Sequence, residues 1–178
     1  MQAGSMVTTS MTILKRAAIF LLIVLTWALL TAASRAATAV PFEGYSAGTI
    51  VVKTHERRLY YVLDHHRALS FQVGVGKAGW RWHGHATIEG KYLAPAWRAP
   101  PELTKSGSWG PVIPGGSSRN PMGVAALTMR GGEYAIHGTN NPGSIGGFVS
   151  HGCIRMHNSD IRKLYSMVSV GTPVIVEQ

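Results

Sequence analysis

The sequence predicts a mainly β domain with one clear helix. β-branched and aromatic residues occur in short runs, and apolar residues alternate at every second position from residue 69 to residue 75. A single stretch near the end of the chain carries apolar residues at helical spacing instead. The chain of 178 residues is long enough for one such domain.

The first strands are predicted at residues 50–52 and 58–63. Both runs are rich in β-branched and aromatic side chains, and polar residues separate them. A turn at residues 64–67 leads into the alternating run, which has the period of a strand with one buried face.

Residues 76–123 show no such pattern, and we expect long loops there. This stretch holds most of the prolines and four of the five tryptophans, namely Trp80, Trp82, Trp97 and Trp109. A long ordered loop in a compact domain tends to be functional, so the tryptophans are candidates for a substrate groove. Aromatic residues more often pack in a core, and we expect this for most of the four.

Two further strands are predicted at residues 124–129 and 134–137, around a turn at 130–132. A helix follows, with Asn158 or Ser159 as its predicted N-cap. Its apolar face is predicted to consist of Ile161, Leu164, Tyr165 and Val168. A last short strand is predicted between the helix and the C-terminus, at residues 173–176.

Residues 1–39 are predicted to be a secretory signal peptide. Lys15 and Arg16 precede an unbroken apolar run, which small residues follow. The Ala37-Thr38-Ala39 pattern predicts cleavage after Ala39. Residues 40–47 then form a linker, and the folded domain begins at residue 48.

The alternative for this segment is an uncleaved membrane anchor. Residues 17–33 reach the lower limit of the length that spans a bilayer. With either outcome, the folded domain is expected outside the cytoplasmic membrane.

The chain is basic, with a formal net charge of +9. Three cations and no acids lie before residue 40, so about +6 remains on the rest. A basic surface favours an anionic partner such as wall polymer, a membrane surface or nucleic acid. We expect no nucleic-acid partner, because export argues against it and no basic helix or zinc-ligand spacing supports it. A solvated basic face without a specific partner is the plainer interpretation of charge alone.

The chain has one cysteine, Cys153, which excludes an intramolecular disulfide. A lone thiol in an oxidising compartment is a liability unless it is buried or functional. It lies in the run Ser150-His151-Gly152-Cys153-Ile154-Arg155-Met156, which follows the motif Ile136-His137-Gly138-Thr139 and a glycine-rich loop. A cysteine attacks as its thiolate, which an adjacent imidazole can generate and an arginine can stabilise.

We assign the general base to His137 and oxyanion stabilisation to the backbone around Cys153. His137 comes from another element and can approach the thiol face-on. His151 lies only two residues from Cys153, and its side chain need not point the same way. Gly152 permits unusual dihedral angles, so the N–H groups of residues 151–153 can converge on one point.

The other two polar residues of the motif have supporting interpretations. Arg155 is a candidate to hold a substrate carboxylate through a bidentate pair, or to fix the loop by bonding backbone carbonyls. Ser150 is interpreted as a loop-stabilising hydroxyl rather than a second nucleophile. Together with His151 and Gly152, these residues form the predicted oxyanion and substrate-binding set.

These motifs resemble those of the L,D-transpeptidase catalytic domain family, also called YkuD-like. The family pattern is a histidine-glycine pair, a variable glycine-rich stretch, and a run close to S-H-G-C-I-R-M. This chain matches it with His137-Gly138 and with residues 150–156 in full. The likeness covers about residues 48–177.

The resemblance implies a β-sandwich-like catalytic domain at residues 48–178 that carries a Cys153–His137 pair. It also implies that the main-chain carbonyl of Gly138 orients His137. The implied substrates are peptidoglycan stem peptides: Cys153 attacks a tetrapeptide stem and expels the terminal D-alanine. The family needs no metal or other cofactor, and the expected location is the periplasm or cell envelope, with membrane contact only through an uncleaved N-terminal segment.

The implied second step leaves the acceptor open. An amine of another stem makes a 3→3 cross-link, a lysine of an envelope protein anchors that protein, and water makes the enzyme an L,D-carboxypeptidase. Where many relatives carry T-P-x-G, this chain has Gly79-Trp80-Arg81-Trp82-His83-Gly84-His85, which leaves its substrate preference open.

Two rival functions follow from the same residues. His83, His85, His151 and Cys153 could bind zinc, but such spacings are common by chance and no H-E-x-x-H motif is present. A non-catalytic peptidoglycan-binding protein could use the same groove with Cys153 as a relic. The pairing of His137 with Cys153 argues against that, because binding alone needs neither residue.

Overall fold

The computed structural model describes residues 37–129 and 134–178. The apolar segment of the predicted signal peptide and the predicted turn at residues 130–132 lie outside these ranges. Within the described ranges, no helix combines the length and apolar character needed to cross a membrane.

The described residues contain eleven strands and one α-helix, which confirms the mainly β fold class. The strands are β1 (Thr38–Pro41), β2 (Ile50–Lys53), β3 (Arg58–Val62), β4 (Arg67–Gln72), β5 (Val75–Gly76), β6 (Gly84–Leu93), β7 (Ala125–Met129), β8 (Ala135–His137), β9 (Phe148–Ser150), β10 (Ile154–Arg155) and β11 (Pro173–Glu177). The helix, α1, spans Asn158–Met167.

Nine strands form one mixed sheet in the order β1-β4-β3-β2-β11-β6-β7-β8-β10, while β5 and β9 form a separate parallel pair. β6 joins two parts of the large sheet: the first part contains β1, β4, β3, β2 and β11, and the second contains β7, β8 and β10. Its residues 84–87 pair with β11, and from Ile88 onward it pairs with β7. The register shifts between Ile88 and Gly90, where the strand changes partner.

One hydrophobic core draws on both parts of the sheet and on α1. Phe71 comes from the first part and Leu127 from the second, and both are almost fully buried. Ile154 and Met156 are also buried in this core. Because successive side chains of a strand point to opposite faces, Cys153 and Arg155 are directed away from it.

Helix α1 packs its apolar face on this core, with Ile161 and Leu164 fully buried. The prediction of its N-cap is wrong, because the helix begins at Asn158 and His157 occupies the N-cap position without a side-chain hydrogen bond. The Asn158 side chain instead bonds the backbone that follows β8.

The prediction of continuous loops over residues 76–123 is wrong for β6. The strand serves two partners, so its burial does not alternate and the sequence shows no period. Gly90 is a poor strand former, but a Cβ atom there would lie 2.7 Å from the Thr128 hydroxyl and from the Tyr92 ring. Close packing against neighbours therefore requires this glycine in the strand.

Residues 94–124 form the expected long loop between β6 and β7. The buried side chain of Asn120 holds it together: Nδ2 donates to the carbonyls of Pro95 at 2.8 Å and Pro114 at 3.1 Å. Its Oδ1 accepts a hydrogen bond from the Met122 N–H at 2.9 Å. This loop is built around internal hydrogen bonds and returns to the sheet beside β8.

The first strand lies across the predicted signal-peptide and linker boundaries. β1 begins at Thr38 and pairs with β4, with Ala39 opposite Leu69. Cleavage after Ala39 would divide this strand, and the predicted linker at residues 40–47 includes its second half.

Candidate active site

Two adjacent parallel strands carry the predicted nucleophile and base. β8 ends at His137, and Cys153 immediately precedes β10. In the register of the pair, Ile154 lies opposite Ile136 and Arg155 opposite His137. The Ala135 N–H of β8 donates a hydrogen bond to the Cys153 sulfur, which joins the thiol to the neighbouring strand.

The His137 imidazole is buried and held in one tautomer. Its Nδ1 lies 2.7 Å from the Gly138 carbonyl oxygen, which can only accept a hydrogen bond, so Nδ1 carries the proton. The lone pair then lies on Nε2, so the ring is the neutral tautomer that can act as a general base through that atom. Burial and, to a smaller extent, the charge of Arg155 lower the pKa of His137 to about 4, although the carbonyls of Gly138 and Pro121 act in the opposite direction.

The Cys153 thiol is half-buried, and burial raises its pKa above the ordinary value. The Ala135 N–H and the positive charge of Arg155 both favour the thiolate and oppose this effect. A thiol with a raised pKa beside an imidazole with a lowered pKa is a neutral pair at neutral pH. The resting pair is therefore a thiol and a neutral imidazole rather than a thiolate–imidazolium ion pair.

Ser150 fixes the conformation of the cysteine loop. Its buried hydroxyl donates to the Cys153 carbonyl at 2.6 Å and accepts a hydrogen bond from the Gly152 N–H at 3.1 Å. The expectation that all three N–H groups of residues 151–153 converge is therefore wrong for Gly152, whose N–H is already engaged. The amides of His151 and Cys153 remain the candidate oxyanion donors.

An aromatic pair packs directly against Gly152. Trp82 and Tyr134 stack with ring centroids 5.2 Å apart, and the Trp82 indole N–H donates to the Gly152 carbonyl at 3.1 Å. Gly152 has a φ of +111°, and a Cβ atom there would overlap the Tyr134 ring. Only glycine fits both the backbone conformation and the space.

The His151 side chain contacts Lys77, whereas a general base would have to contact the Cys153 thiol. Its Nε2 lies 2.9 Å from the Lys77 ammonium, and its ring meets Trp80 edge-on at 4.8 Å. Partial burial and the charges of Lys77 and Arg155 lower the pKa of His151. Because the ammonium can only donate, it occupies the Nε2 lone pair, so that nitrogen cannot accept a thiol proton while this contact lasts.

The positive charge of Arg155 lowers the pKa values of His137, His151 and Cys153. The backbone of Arg155 is fixed on both sides, by β8 and by paired hydrogen bonds with Gly74 at 2.8 and 2.9 Å. Its Nε is buried without a hydrogen-bond partner. Both the substrate-carboxylate role and the loop-bracing role of Arg155 stay predictions.

Lys77 and Tyr134 were not singled out from the sequence, and the contacts of Trp82 with Gly152 and of Asn158 with Thr139 were not predicted. Their contacts join segments distant in sequence, which a single sequence does not reveal.

The expectation that most of the four loop tryptophans pack in the core fits Trp82, which packs against the main core, but Trp80 and Trp109 are exposed. Trp97 and Trp109 line a separate cavity of about 350 Å³ on the long loop.

The histidines of the zinc hypothesis do not gather around Cys153. His83 Nδ1 lies 3.3 Å from the C-terminal side chain of Gln178, and His85 pairs with Ile175 of β11. Across residues 37–129 and 134–178, no cluster of three or more histidine, cysteine or acidic side chains is arranged to hold a metal ion.

Comparison with known proteins matches residues 47–176 to the L,D-transpeptidase catalytic domain family, YkuD. The chain is 42% identical over 137 residues to the probable L,D-transpeptidase ErfK/SrfK of Escherichia coli K12, a match that covers 72% of this chain and 44% of the relative. It is 37% identical over 132 residues to the probable L,D-transpeptidase YbiS of the same strain, covering 70% and 43%. The chain thus spans less than half the length of these relatives.

A solved structure has the same fold. The catalytic domain of the Enterococcus faecium L,D-transpeptidase, determined as its ertapenem-acylated form, superposes with a TM-score of 0.58 at 22% identity. The superposition covers 75% of this chain and 100% of that domain.

Proposed function

Because this chain belongs to the L,D-transpeptidase catalytic domain family, we propose that it is a cysteine acyltransferase of peptidoglycan. Its donors are tetrapeptide stems, Cys153 is the nucleophile and His137 is the general base. The observation that carries the proposal is the His137 tautomer: Nδ1 bonds the Gly138 carbonyl at 2.7 Å, which leaves Nε2 able to take a proton on the strand beside the thiol.

In the first step, the Cys153 sulfur attacks the carbonyl carbon of the bond between the diamino acid and the terminal D-alanine. The thiol proton passes to His137 Nε2, and a carbon–sulfur bond forms as the carbonyl oxygen becomes an oxyanion. In the proposed mechanism, the amides of His151 and Cys153 donate to that oxyanion. The carbon–nitrogen bond then breaks, the imidazolium returns the proton to the leaving nitrogen, and D-alanine departs.

In the second step, an amine attacks the thioester and releases the thiol. His137 takes a proton from the attacking amine and returns it to sulfur, so the free enzyme is restored. An amine of another stem gives a 3→3 cross-link, a lysine of an envelope protein gives an anchored protein, and water gives L,D-carboxypeptidase activity. A folded domain exported to the periplasm or cell envelope would meet all three acceptors.

The remaining residues of the predicted site support this chemistry. Ser150 and Gly152 hold the cysteine loop in shape, and the Arg155 guanidinium binds a substrate carboxylate. A non-catalytic binding protein would need neither the fixed tautomer nor the thiol beside it. The same chemistry needs no metal or other cofactor.

Product analysis tests the proposal. The purified protein is incubated with disaccharide-tetrapeptide, and the products are identified by mass spectrometry in parallel with Cys153→Ala. Dimers that require Cys153 establish 3→3 cross-linking, whereas Cys153-dependent loss of D-alanine without dimers indicates water or a protein amine as acceptor. Absence of any Cys153-dependent product from a folded protein would favour the binding function instead.

A further inference from the structure

Positive charge beside Cys153 lacks an acidic partner. Within the described part of the chain, the ion pairs join Lys53 and His55 to Glu56, His66 to Glu43, and Arg67 to Asp64. None of them includes Lys77 or Arg155. Two cations near the nucleophile are therefore left without a counter-charge from the protein.

The backbone around Lys77 is fixed next to the cysteine loop. The Lys77 N–H donates to the Ser150 carbonyl at 3.0 Å, and its own carbonyl accepts from the Trp80 N–H at 2.9 Å. The turn packs against Gly76, where a Cβ atom would overlap the Trp80 carbonyl. The turn thus brings the Lys77 ammonium to His151 Nε2, 2.9 Å away.

Arg155 presents its charge to the same loop. Its Nε is buried and has no hydrogen-bond partner, which is costly for a charged donor. The guanidinium acts electrostatically on Cys153 and on His151, the residue that contacts Lys77. Lys77 reaches this loop through His151, and Arg155 lies on the strand that follows Cys153, so the loop carries positive charge that a carboxylate would neutralise.

We propose that Lys77 and Arg155 form a carboxylate subsite that holds the C-terminus of the residue displaced by Cys153. This inference rests on the proposed function. In a donor whose scissile bond precedes the last residue, the free carboxylate is only two bonds from the leaving nitrogen. A cationic subsite next to the thiol therefore selects donors in which the residue after the scissile bond is terminal.

His151 has a positioning role in this subsite. Its Nε2 accepts from the Lys77 ammonium, and the ring is held in place by Trp80, 4.8 Å away. The imidazole is neutral in this contact, so it fixes the ammonium without cancelling its charge. Lys77 remains available to a carboxylate through its other N–H donors.

The test compares two donors that differ only at the C-terminus: a tetrapeptide ending in a free acid and the same tetrapeptide ending in a carboxamide. Each is reacted with the full-length wild type, with Lys77→Met, and with the control Lys163→Met, which removes an exposed charge from α1. The kcat and KM for release of D-alanine or D-alaninamide are measured. Alkylation of Cys153 by iodoacetamide is followed in the same proteins.

Wild type and Lys163→Met are expected to prefer the acid donor. Lys77→Met should lose about tenfold in kcat/KM on the acid donor, mostly through KM, with the carboxamide donor and the alkylation rate unchanged. Lys77→Arg should retain the preference. Equal loss on both donors, or an unchanged preference, would overturn the subsite. Failure of folded wild type to release either product would instead overturn the proposed function.

Discussion

The side-chain amide of Asn158 bonds both backbone groups of Thr139. Its Oδ1 accepts from the Thr139 N–H at 3.0 Å, and its Nδ2 donates to the Thr139 carbonyl at 3.0 Å. Thr139 directly follows Gly138, whose carbonyl fixes the His137 tautomer. The first turn of α1 thus holds the segment that orients the proposed base.

Asn158→Ala is expected to reduce both stability and acylation. Three hydrogen bonds to part-buried backbone groups are lost, two to Thr139 and a longer one to Val124, which costs about 2 kcal/mol of unfolding free energy. The Gly138 carbonyl is then less well placed, so D-alanine release should slow at unchanged donor binding. Urea unfolding and release kinetics measure the two effects. Asn140→Ala is the control, because the exposed Asn140 amide makes one bond, to the Ser118 carbonyl at 3.3 Å. A wild-type release rate in Asn158→Ala would show that this contact does not orient His137.

Gly152→Ala is expected to be more damaging than Gly171→Ala. Both glycines have positive φ, +111° and +91°, so both substitutions strain the backbone by about 1 kcal/mol. A Cβ atom at Gly171 meets no atom within 4 Å, whereas one at Gly152 overlaps the Tyr134 ring. Gly152→Ala should therefore also displace the cysteine loop and lose activity, as judged by thermal unfolding and by D-alanine release. Equal effects of the two substitutions would mean that the Tyr134 contact does not constrain the loop.

His137→Gln should slow acylation far more than His151→Gln. Glutamine retains hydrogen-bonding groups at either position but cannot take the thiol proton. The expected loss for His137→Gln is on the order of 10²–10⁴-fold, the usual contribution of a general base. Single-turnover release of D-alanine measures it directly. A larger loss in His151→Gln would reverse the assignment of the base.

Stability should fall as the pH drops from about 6.5 to about 4. Burial lowers the pKa of His137 from its ordinary 6.5 to about 4, so the unfolded chain takes up a proton in this window while the folded chain does not. The stabilisation from neutral His137 is fully present above pH 6.5, and the loss of unfolding free energy reaches about 3 kcal/mol by the time the pH falls to 4. Urea unfolding at pH 4 and pH 7 should show a smaller change for His137→Gln than for wild type. The same change in both proteins would contradict burial of a neutral imidazole.

Much of the fold could be predicted from local pattern. β2 and β3 are buried on both faces, so they stand out as short runs of β-branched and aromatic residues, whereas α1 buries one face and shows the helical period. β6 could not be predicted, because it pairs with β11 and then with β7 and its burial follows neither period. The prediction of the N-cap failed because of another long-range contact: the Asn158 side chain bonds the Thr139 carbonyl instead of the helix terminus.

The residues of the candidate site likewise include some that could be predicted from the sequence and some that could not. His137, Gly138 and Cys153 belong to compact motifs, and spacing alone favoured His137 over His151 as the base. Lys77 was missed because the parallel pairing of β5 with β9, rather than sequence proximity, brings it to His151. The engagement of the Gly152 N–H was also missed, since it depends on the rotamer of Ser150.

The most direct test of the central claim is the intact mass of the protein during turnover. Wild type and Cys153→Ala are mixed with the tetrapeptide donor without an added amine, quenched rapidly and analysed by mass spectrometry. The proposed chemistry predicts a wild-type adduct equal to the donor mass less D-alanine, located on Cys153 and absent from the folded variant. Donor consumed by a protein that never carries this adduct, or an adduct in Cys153→Ala, would contradict Cys153 as the nucleophile.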